Sequence, residues 1–404
     1  MTKEKSTVPR LRFPGFTDAW KQRKAMEIFM VVSDKGYADL PILSASQELG
    51  MIRRDEIGID IKYDKEAVAN YKRVLPGQFV IHLRSFQGGF AWSEIEGLTS
   101  PAYTILDFKE ENSSKFWRNV LTSPNFIKKL ETVTYGIRDG RSISYSDFST
   151  LNFVIPTLPE QSAIGSFFSD LDQLITLHQR KLDDVKELKK ALLQKMFPKG
   201  NGNDFPDLRF PEFTDAWKQR KLGEVAEKIS QKNLDRQYVE TFTNSAEFGI
   251  ISQRDFFEKN ISSLDNISGY YIVNPDDFVY NPRISNLAPV GPIKRNKLGR
   301  VGVMSPLYTI FRFSDIHLDF VEKYFDTTIW HRYMELNGDS GARSDRFAIK
   351  DSVFKGLPVP LPTLPEQEAI GSFFSDLDQL ITLHQRQLDH LKLLKKALLQ
   401  QMFI

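Results

Sequence analysis

A short run of the sequence, residues 283–300, concentrates positive charge and contains no acidic residue. Its charged side chains are Arg283, Lys294, Arg295, Lys297 and Arg300, with Asn286 and Asn296 among them. The chain of 404 residues has a formal net charge of only +2, so a protein that binds nucleic acid must gather its charge locally. Arginine and lysine contact phosphates, and arginine and asparagine also bond to base edges. The segment therefore predicts a DNA contact, although a solvated basic loop has the same composition.

Other polar residues extend this prediction along the chain. The further candidates are Arg53, Arg54, Arg84 and Gln87 in the first half and Arg254 in the second half. A Gly-x-Arg element occurs in both halves and contributes Arg138, Arg141, Arg343 and Arg346. Because this element recurs while the surrounding sequence differs, we expect its arginines to grip phosphate or hold the domain together rather than read bases.

No catalytic motif is recognisable in the sequence. There is no glycine-rich loop followed by Lys-Ser or Lys-Thr, and Asn281-Pro282-Arg283 departs from the Asn-Pro-Pro-aromatic motif of amino methylation at its third residue. The chain has no cysteine, which excludes disulfides, thiol catalysis and cysteine-ligated metal and fits a reducing cytoplasm. No apolar run has the length of a membrane-spanning helix, and the N-terminal residues lack the apolar core of a secretory signal. We therefore expect a non-catalytic chain of the cytoplasm without a bound metal.

Two nearly identical stretches must position the candidate side chains. Residues 157–197 return as residues 363–403 with only six differences. Thr157 and Glu160 have the spacing of a capping box, and the apolar residues that follow step by three and four, the period of a seam between packed helices. The seam residues are Leu171, Ile175, Leu182, Val185 and Leu192, and in the second copy Leu377, Ile381, Leu388, Leu391 and Leu398. Each stretch predicts a helix of roughly 50 Å whose natural partner is the other copy.

A second repeat precedes each predicted helix. Residues 11–24 return as residues 208–221 with one difference. The chain is therefore two tandem units, each made of an opening motif, a variable body and a long helix. Alternating runs such as residues 79–83 predict strands, and residues 114–131 and 315–336 predict amphipathic helices. Each body is thus a mixed α/β domain, and the fold class is α+β.

With these features the chain resembles the specificity (S) subunits of Type I restriction-modification systems over essentially its whole length. The resemblance rests on the duplicated FTDAWKQRK opening, the Gly-x-Arg element and the PTLPEQ start of each helix, which frame two unlike bodies. It implies target recognition domains at residues 1–156 and 198–362. Spacer helices are expected at residues 157–197 and 363–404, paired as an antiparallel coiled coil with pseudo-twofold symmetry.

The resemblance also implies a function in a larger complex. Each recognition domain would read one half of an asymmetric, bipartite target in double-stranded DNA, while the helices dock two methyltransferase (modification) subunits. Restriction (endonuclease and translocase) subunits would join through the complex. S-adenosylmethionine, ATP and Mg would be used by these partners, with no cofactor in this chain.

Apolar residues beside the seam predict where the methyltransferases dock. They are Leu174, Leu177, Leu188 and Leu193, with Leu380, Leu383, Leu394 and Leu399 as their equivalents. Packing against the recognition domains is the other explanation for this surplus. Two further functions stay open: a coiled-coil scaffold that binds only protein, and a complete restriction-modification enzyme, against which the missing catalytic motifs argue.

Overall fold

The computed structural model describes most of the chain. The described residues are 8–46, 49–57, 66–82, 89–131, 143–199, 204–257, 266–339 and 345–403. They form two compact units, one comprising Met1–Gln179 with Arg386–Ile404 and the other Arg180–Gln385. Each long helix is therefore shared between the units.

The first unit contains the following elements. Its strands are β1 (Lys21–Lys24), β2 (Phe29–Val32), β3 (Leu43–Ser46), β4 (Gly50–Arg53), β5 (Lys72–Val74), β6 (Phe79–Ile81), β7 (Phe90–Trp92), β8 (Gly97–Thr99), β9 (Thr104–Phe108) and β10 (Asn152–Ile155). Its helices are α1 (Ala25–Ile28), α2 (Ser114–Leu121), α3 (Pro124–Glu131), α4 (Tyr145–Ser149) and the first part of the long α5 (Leu158–Lys195).

The second unit repeats this order. Its strands are β11 (Lys218–Lys221), β12 (Ala226–Ile229), β13 (Phe242–Ser245), β14 (Gly249–Ser252), β15 (Tyr271–Val273), β16 (Phe278–Tyr280), β17 (Ile293–Arg295), β18 (Gly302–Met304), β19 (Thr309–Phe313) and β20 (Pro358–Leu361). Its helices are α6 (Leu222–Val225), α7 (Gln253–Phe257), α8 (Leu318–Asp326), α9 (His331–Asn337), α10 (Asp351–Phe354) and the first part of the long α11 (Leu364–Met402).

Strand pairing is the same in both units. The four-stranded antiparallel sheet has the order β2-β9-β6-β7 in the first unit and β12-β19-β16-β17 in the second. The KQRK segment of the opening repeat forms β1 or β11, which pairs with the strand just before the long helix, so that Lys21 lies opposite Ile155 and Lys218 opposite Leu361. The opening repeat and the helix repeat are thereby joined by backbone hydrogen bonds.

The core of each unit is built from aromatic side chains. In the first unit Phe29 contacts Trp117 and Phe148, with ring centroids 4.9 and 5.5 Å apart. In the second unit Phe278 contacts Phe313 and Phe325 at 5.0 and 6.2 Å. Such rings bury a large apolar area and pack edge to face, which stabilises a mixed α/β body.

The long helices run antiparallel in the described residues. In the first unit, the ring of Phe168 contacts that of Phe403, and Asp172 accepts a hydrogen bond from Lys395 at 2.5 Å. The residue number thus rises along α5 while it falls along α11. The predicted α+β fold with two long helices is confirmed. Within the described part of the chain, no helix combines the length and the apolar character needed to cross a bilayer.

The helices predicted as single elements within the bodies are each divided. Residues 114–131 form α2 and α3, which are separated at Ser123-Pro124. Proline has no amide hydrogen, and the hydroxyl of Ser123 accepts a hydrogen bond from the amide of Phe126, so a new helix begins here. In the second unit the break lies between α8 and α9, where the Thr327 hydroxyl donates to the carbonyl of Tyr324.

Candidate nucleic-acid interface

An ion pair joins the two repeated motifs of each unit. In the first unit, Arg12 donates from Nε and Nη2 to the two carboxylate oxygens of Glu160 at 2.5 and 2.7 Å. Arg209 binds Glu366 in the same way at 2.7 Å for both bonds. The hydrogen bonds to these fully buried glutamates raise the pKa of both arginines. The spacing with Thr157 predicted that Glu160 would cap the helix through a capping box. Both of its carboxylate oxygens bind Arg12 instead, because a buried carboxylate is stabilised more by a guanidinium than by a backbone amide.

The glutamine after each glutamate connects the long helix to the body. Oε1 of Gln161 accepts a hydrogen bond at 3.2 Å from the amide of Ser113, the residue that caps α2. Oε1 of Gln367 accepts in the same way, at 3.0 Å, from the amide of His317 at the start of α8. The LPEQ motif therefore fixes each body on its helix. Sequence reasoning missed this role of the glutamate and glutamine, although their duplication was a usable signal.

Four cations of the predicted DNA-binding segment have carboxylate partners in their own unit. The pairs are Lys294 with Asp326 at 2.8 Å, Arg295 with Asp276 and Asp319 at 2.5 and 2.6 Å, Lys297 with Glu322 at 3.2 Å, and Arg300 with Glu240 at 2.7 Å. Asp319, Glu322 and Asp326 lie on one face of α8, because residues three and four apart on a helix are neighbours. This acidic face neutralises β17 and the loop that follows it.

A buried charge network lies behind this acidic face. Lys323 binds Asp378 of α11 at 2.6 Å and Asp326 at 3.3 Å, and Lys189 of α5 also binds Asp378 at 2.5 Å. Burial alone would lower the pKa of Lys323, but the surrounding carboxylates raise it above its usual value. Burial would raise the pKa of Asp326, yet Lys294 and Lys323 lower it to about 2. The network ties β17, through α8, to the long helices.

Arg283 and Arg346 form a different arrangement. They lie opposite each other in an antiparallel β-bridge, which is closed by hydrogen bonds from the amide of Ile284 to the carbonyl of Asp345 and from the amide of Phe347 to that of Pro282. Residues opposite each other on antiparallel strands place their side chains on the same face. Within the described residues, neither guanidinium has a carboxylate partner. Among the described residues, the bridge therefore presents two positive charges that no carboxylate neutralises.

The remaining candidates are more scattered. Asn286 is exposed beside this bridge, whereas Asn296 is buried and its amide donates to the carbonyls of Asn274 and Arg300. Arg53 is held by Asp55 at 3.0 Å, and Arg54 donates to the hydroxyl of Ser44 at 3.4 Å. Arg254 is exposed in α7; the pKa of Glu240 is lowered mainly by its hydrogen bond from Arg300 and to a smaller extent by the charge of Arg254. Arg84, Gln87, Arg138, Arg141 and Arg343 lie outside the described residues.

The predicted docking leucines divide into two groups. Six of them expose between 38 and 51 % of their surface: Leu174, Leu177, Leu188, Leu380, Leu383 and Leu394. The other two pack on a core, Leu193 in the second unit and Leu399 in the first. Packing against the recognition domain thus explains these two leucines. The ten seam residues are all buried or partly buried. No group of His, Cys, Asp and Glu in the described ranges has an arrangement that could hold a metal.

Comparisons with known proteins agree with this architecture. Residues 214–393 match the family model of the Type I restriction modification DNA specificity domain. The putative type I restriction enzyme MjaX specificity subunit of Methanocaldococcus jannaschii is 26% identical over 275 residues, which cover 64% of this chain and 60% of that protein. The MjaVIII specificity subunit of the same organism is 22% identical over 287 residues, which cover 68% and 67%.

A solved structure shows the same fold over the whole chain. The S subunit of a Type-I restriction-modification system from M. genitalium superposes with a TM-score of 0.59 at 13% identity, covering 98% of this chain and 99% of that one. The match to the first of the curated relatives spans about 60% of its length.

Proposed function

We propose that this chain, which is similar to the specificity subunits of Type I restriction-modification systems, is the DNA-recognition subunit of such a system and reads an asymmetric, bipartite target. Each unit reads one half-site. The chain acts in the cytoplasm, where it directs partner subunits to the sequence it binds.

One observation carries this proposal: both units have the same frame, meaning the opening repeat joined to the start of the long helix, but the bodies on these frames have unlike surfaces. Arg12–Glu160 and Arg209–Glu366 close the two frames with the same geometry. The stretch between β16 and β19, in contrast, carries a cluster of cations that the stretch between β6 and β9 lacks in its described part. Two different surfaces in equivalent frames suit two different half-sites.

Within the second unit, Arg283 and Arg346 are our proposed contacts to the DNA backbone. Like charges opposite each other on a β-bridge repel, and a phosphodiester bound between them removes that cost. Arginine also binds phosphate oxygens bidentately, with a defined geometry. Asn286, exposed beside them, is proposed to contact base edges. The ion-paired cations of the same segment are proposed to stabilise the conformation of this surface through their carboxylate partners. They are Lys294, Arg295, Lys297 and Arg300.

The other candidate residues stay as proposals for DNA contact. They are Arg53, Arg54, Arg84, Gln87, Arg138 and Arg141 for one half-site, and Arg254 and Arg343 for the other.

The exposed leucines of the long helices supply the second part of the proposal. Leu174 and Leu177 on α5 recur as Leu380 and Leu383 on α11, so each helix offers a similar apolar face. Exposed apolar patches of this kind are typical of interaction sites. We propose that two methyltransferase subunits dock there, and that methylation and ATP-dependent cleavage reside in methyltransferase and restriction subunits that use S-adenosylmethionine, ATP and Mg.

The target can be identified by mapping methylated positions across the host genome, with the gene for this chain present and deleted. We expect a set of methylated sites that disappears on deletion and shares two unlike half-sequences separated by a gap of fixed length. An unchanged methylation pattern, or a single uninterrupted motif, would contradict the proposal.

The exposed leucines also favour a second candidate function, a scaffold that binds only proteins. The two functions differ in their response to salt. A DNA-recognition subunit loses affinity for duplex DNA steeply between about 50 and 200 mM salt, because bound counterions are released on binding. A scaffold shows no salt-dependent DNA binding at all.

A further inference from the structure

Each unit has a β-hairpin whose tip exposes one large apolar side chain. In the first unit the tip between β3 and β4 carries Leu49, which is 68 % exposed. In the second unit the tip between β13 and β14 carries Phe248, which is 59 % exposed. Single exposed apolar residues are common on protein surfaces. Here, however, an apolar residue recurs at the same position of a hairpin that keeps its serine and glycine, although most of the two bodies differ in sequence.

The described residues of the two tips make the same hydrogen bond. The amide of Leu49 donates to the hydroxyl of Ser46 at 3.2 Å, and the amide of Phe248 donates to that of Ser245 at 3.2 Å. The next residue in each case is a glycine in the left-handed region, with φ of +76° and +71°. A left-handed glycine and a serine hydroxyl fix a tight turn. In the second unit, where every residue of the tip is described, Phe248 is therefore presented on a preformed turn, and little conformational entropy is lost when it is inserted into a partner.

Each hairpin rests on a small apolar core. Phe242 and Ile250 of the second hairpin are buried with Val273 and Val279, while Leu43 and Met51 are buried below the first hairpin. Since the strands are anchored in this way, the exposed residue at the tip is not needed to hold the hairpin together. In the second unit the ring of Phe256, in α7, lies 6.0 Å from that of Phe248, so a second aromatic ring lies beside the tip.

Hydrogen bonds connect the second hairpin to Arg283, one of the two arginines proposed to contact the DNA phosphates. Asn281 donates from Nδ2 to the carbonyl of Asn244 in β13 at 2.8 Å, and its Oδ1 accepts from the amide of Arg283 at 3.0 Å. Phe248 is four residues from Asn244, which is at most about 13 Å along an extended chain. The aromatic tip therefore lies within about one turn of duplex, roughly 34 Å, of any phosphate that Arg283 and Arg346 bind.

We propose that Phe248 and Leu49 are wedges that insert between adjacent base pairs of the DNA target, one in each half-site. Phenylalanine and leucine both belong to the apolar residues that other proteins use to unstack and kink a base step. The inference rests on the proposed DNA recognition and adds a deformation of the duplex to it. Each half-site then includes a step that is selected because it opens easily, in addition to the bases that are read directly.

The test uses the full-length chain, assembled with its modification subunit, and duplexes that carry 2-aminopurine at successive positions of the mapped half-sites. With the wild-type chain we expect fluorescence to rise at one step in each half-site. Phe248→Ala should abolish the rise in one half-site only and Leu49→Ala in the other only. Each should weaken binding about tenfold, the order expected for the loss of one stacking contact. Phe248→Leu, which places the first unit's residue in the second, should retain most of the rise.

A matched control is Leu234→Ala, because Leu234 is 71 % exposed in a turn of the same unit but is not part of the hairpin. It should leave both fluorescence and affinity unchanged. If the wild-type chain binds its mapped duplex but no step shows a rise, the wedge is wrong while DNA recognition stands. If the wild-type chain fails to prefer the mapped duplex, both ideas fall. If Phe248→Ala unstacks DNA normally but no longer retains the modification subunit, the tip contacts that protein and the wedge is overturned.

Discussion

Arg12 and Glu160 are 148 residues apart in the sequence, yet they form a bidentate ion pair at 2.5 and 2.7 Å. The arginine comes from the opening repeat and the glutamate from the first turn of the long helix α5. Arg209 and Glu366 repeat this pair across 157 residues. The two motifs that recur in the sequence are thus the two sides of one contact, which explains why they recur together while the bodies between them differ.

Removing the arginine from this contact should strongly destabilise the unit that contains it. In Arg12→Met the carboxylate of Glu160 stays buried without a compensating charge, which costs about 3–5 kcal/mol. Urea unfolding followed by tryptophan fluorescence should show the loss as a lower midpoint. The double variant Arg12→Met with Glu160→Met should recover part of it, because no charge is then left buried.

The surface pair of Arg53 with Asp55 provides the control for the loss of a positive charge, because both side chains are largely exposed. Arg53→Met should unfold at the wild-type midpoint. Equal midpoints for Arg12→Met and Arg53→Met would show that the buried pair does not hold the frame.

The glycine in the helix repeat should not tolerate a side chain. A Cβ added to Gly165 would lie 2.7 Å from the backbone nitrogen of Phe116, and one added to Gly371 would lie 2.7 Å from the imidazole of His317. Alanine normally stabilises a helix relative to glycine by up to about 1 kcal/mol. Here the added Cβ would clash with α2, so alanine should destabilise the protein: Gly165→Ala should lower the free energy of unfolding by about 1–3 kcal/mol.

Gly371→Ala should cost less than Gly165→Ala, because the imidazole of His317 can turn away and the backbone nitrogen of Phe320 is 3.0 Å from the added Cβ, whereas that of Phe116 is at 2.7 Å. Gly269→Ala is the control, since a Cβ there meets nothing within 4 Å. The three unfolding midpoints should decrease in the order Gly269→Ala, Gly371→Ala, Gly165→Ala. A Gly165→Ala variant as stable as the wild type would mean that α5 and α2 are not packed this closely.

The long helices and their pairing could be predicted from the sequence because the features that specify them are either local in the sequence or repeated in it. The period of the apolar residues and the Pro-containing start predicted α5 and α11, and the two copies identified each other as partners. The breaks after α2 and α8 were missed because the amphipathic pattern continues across them. Only the side chains at Ser123-Pro124 and Thr327 signal the interruption.

The charge state of the candidate interface could not be predicted in the same way. Residues 283–300 contain no acid, which predicted a free basic loop. Their partners Asp319, Glu322 and Asp326 follow on α8, and nothing local in the sequence indicates that α8 packs against β17. The contrast between these paired cations and the bridge of Arg283 with Arg346 depends on tertiary structure alone.

The buried network of the second unit should make the protein sensitive to acid. The pKa of Asp326 is lowered from 3.8 to about 2, so its ionised form contributes stability that is complete above about pH 4 and is lost as the pH falls towards 2. The shift corresponds to about 2 kcal/mol. Urea midpoints of the wild type should therefore drop between pH 4 and pH 2 more steeply than those of Asp326→Asn.

Asp326→Asn should also be less stable at neutral pH, because Lys294 and Lys323 lose an ionic partner. Asp235→Asn, which removes a carboxylate at an exposed position of the same unit, controls for the change in net charge. If Asp326→Asn and the wild type lose stability in parallel below pH 4, the protonation of Asp326 is not responsible.

Arg283 and Arg346, which have no carboxylate partner among the described residues, should differ from the ion-paired Arg300 in their effect on DNA binding. Each phosphate contact contributes about 0.9 to the slope of log affinity against log salt concentration, so replacing both Arg283 and Arg346 with glutamine should reduce the slope by about 1.8. The slope is measured by titrating a duplex that contains the mapped target with the assembled chain at several salt concentrations. Arg300→Gln is the matched control: its guanidinium is already bound to Glu240, so the slope should keep its wild-type value. If the slope is unchanged in the double variant, or is reduced equally in the control, Arg283 and Arg346 do not contact the DNA phosphates.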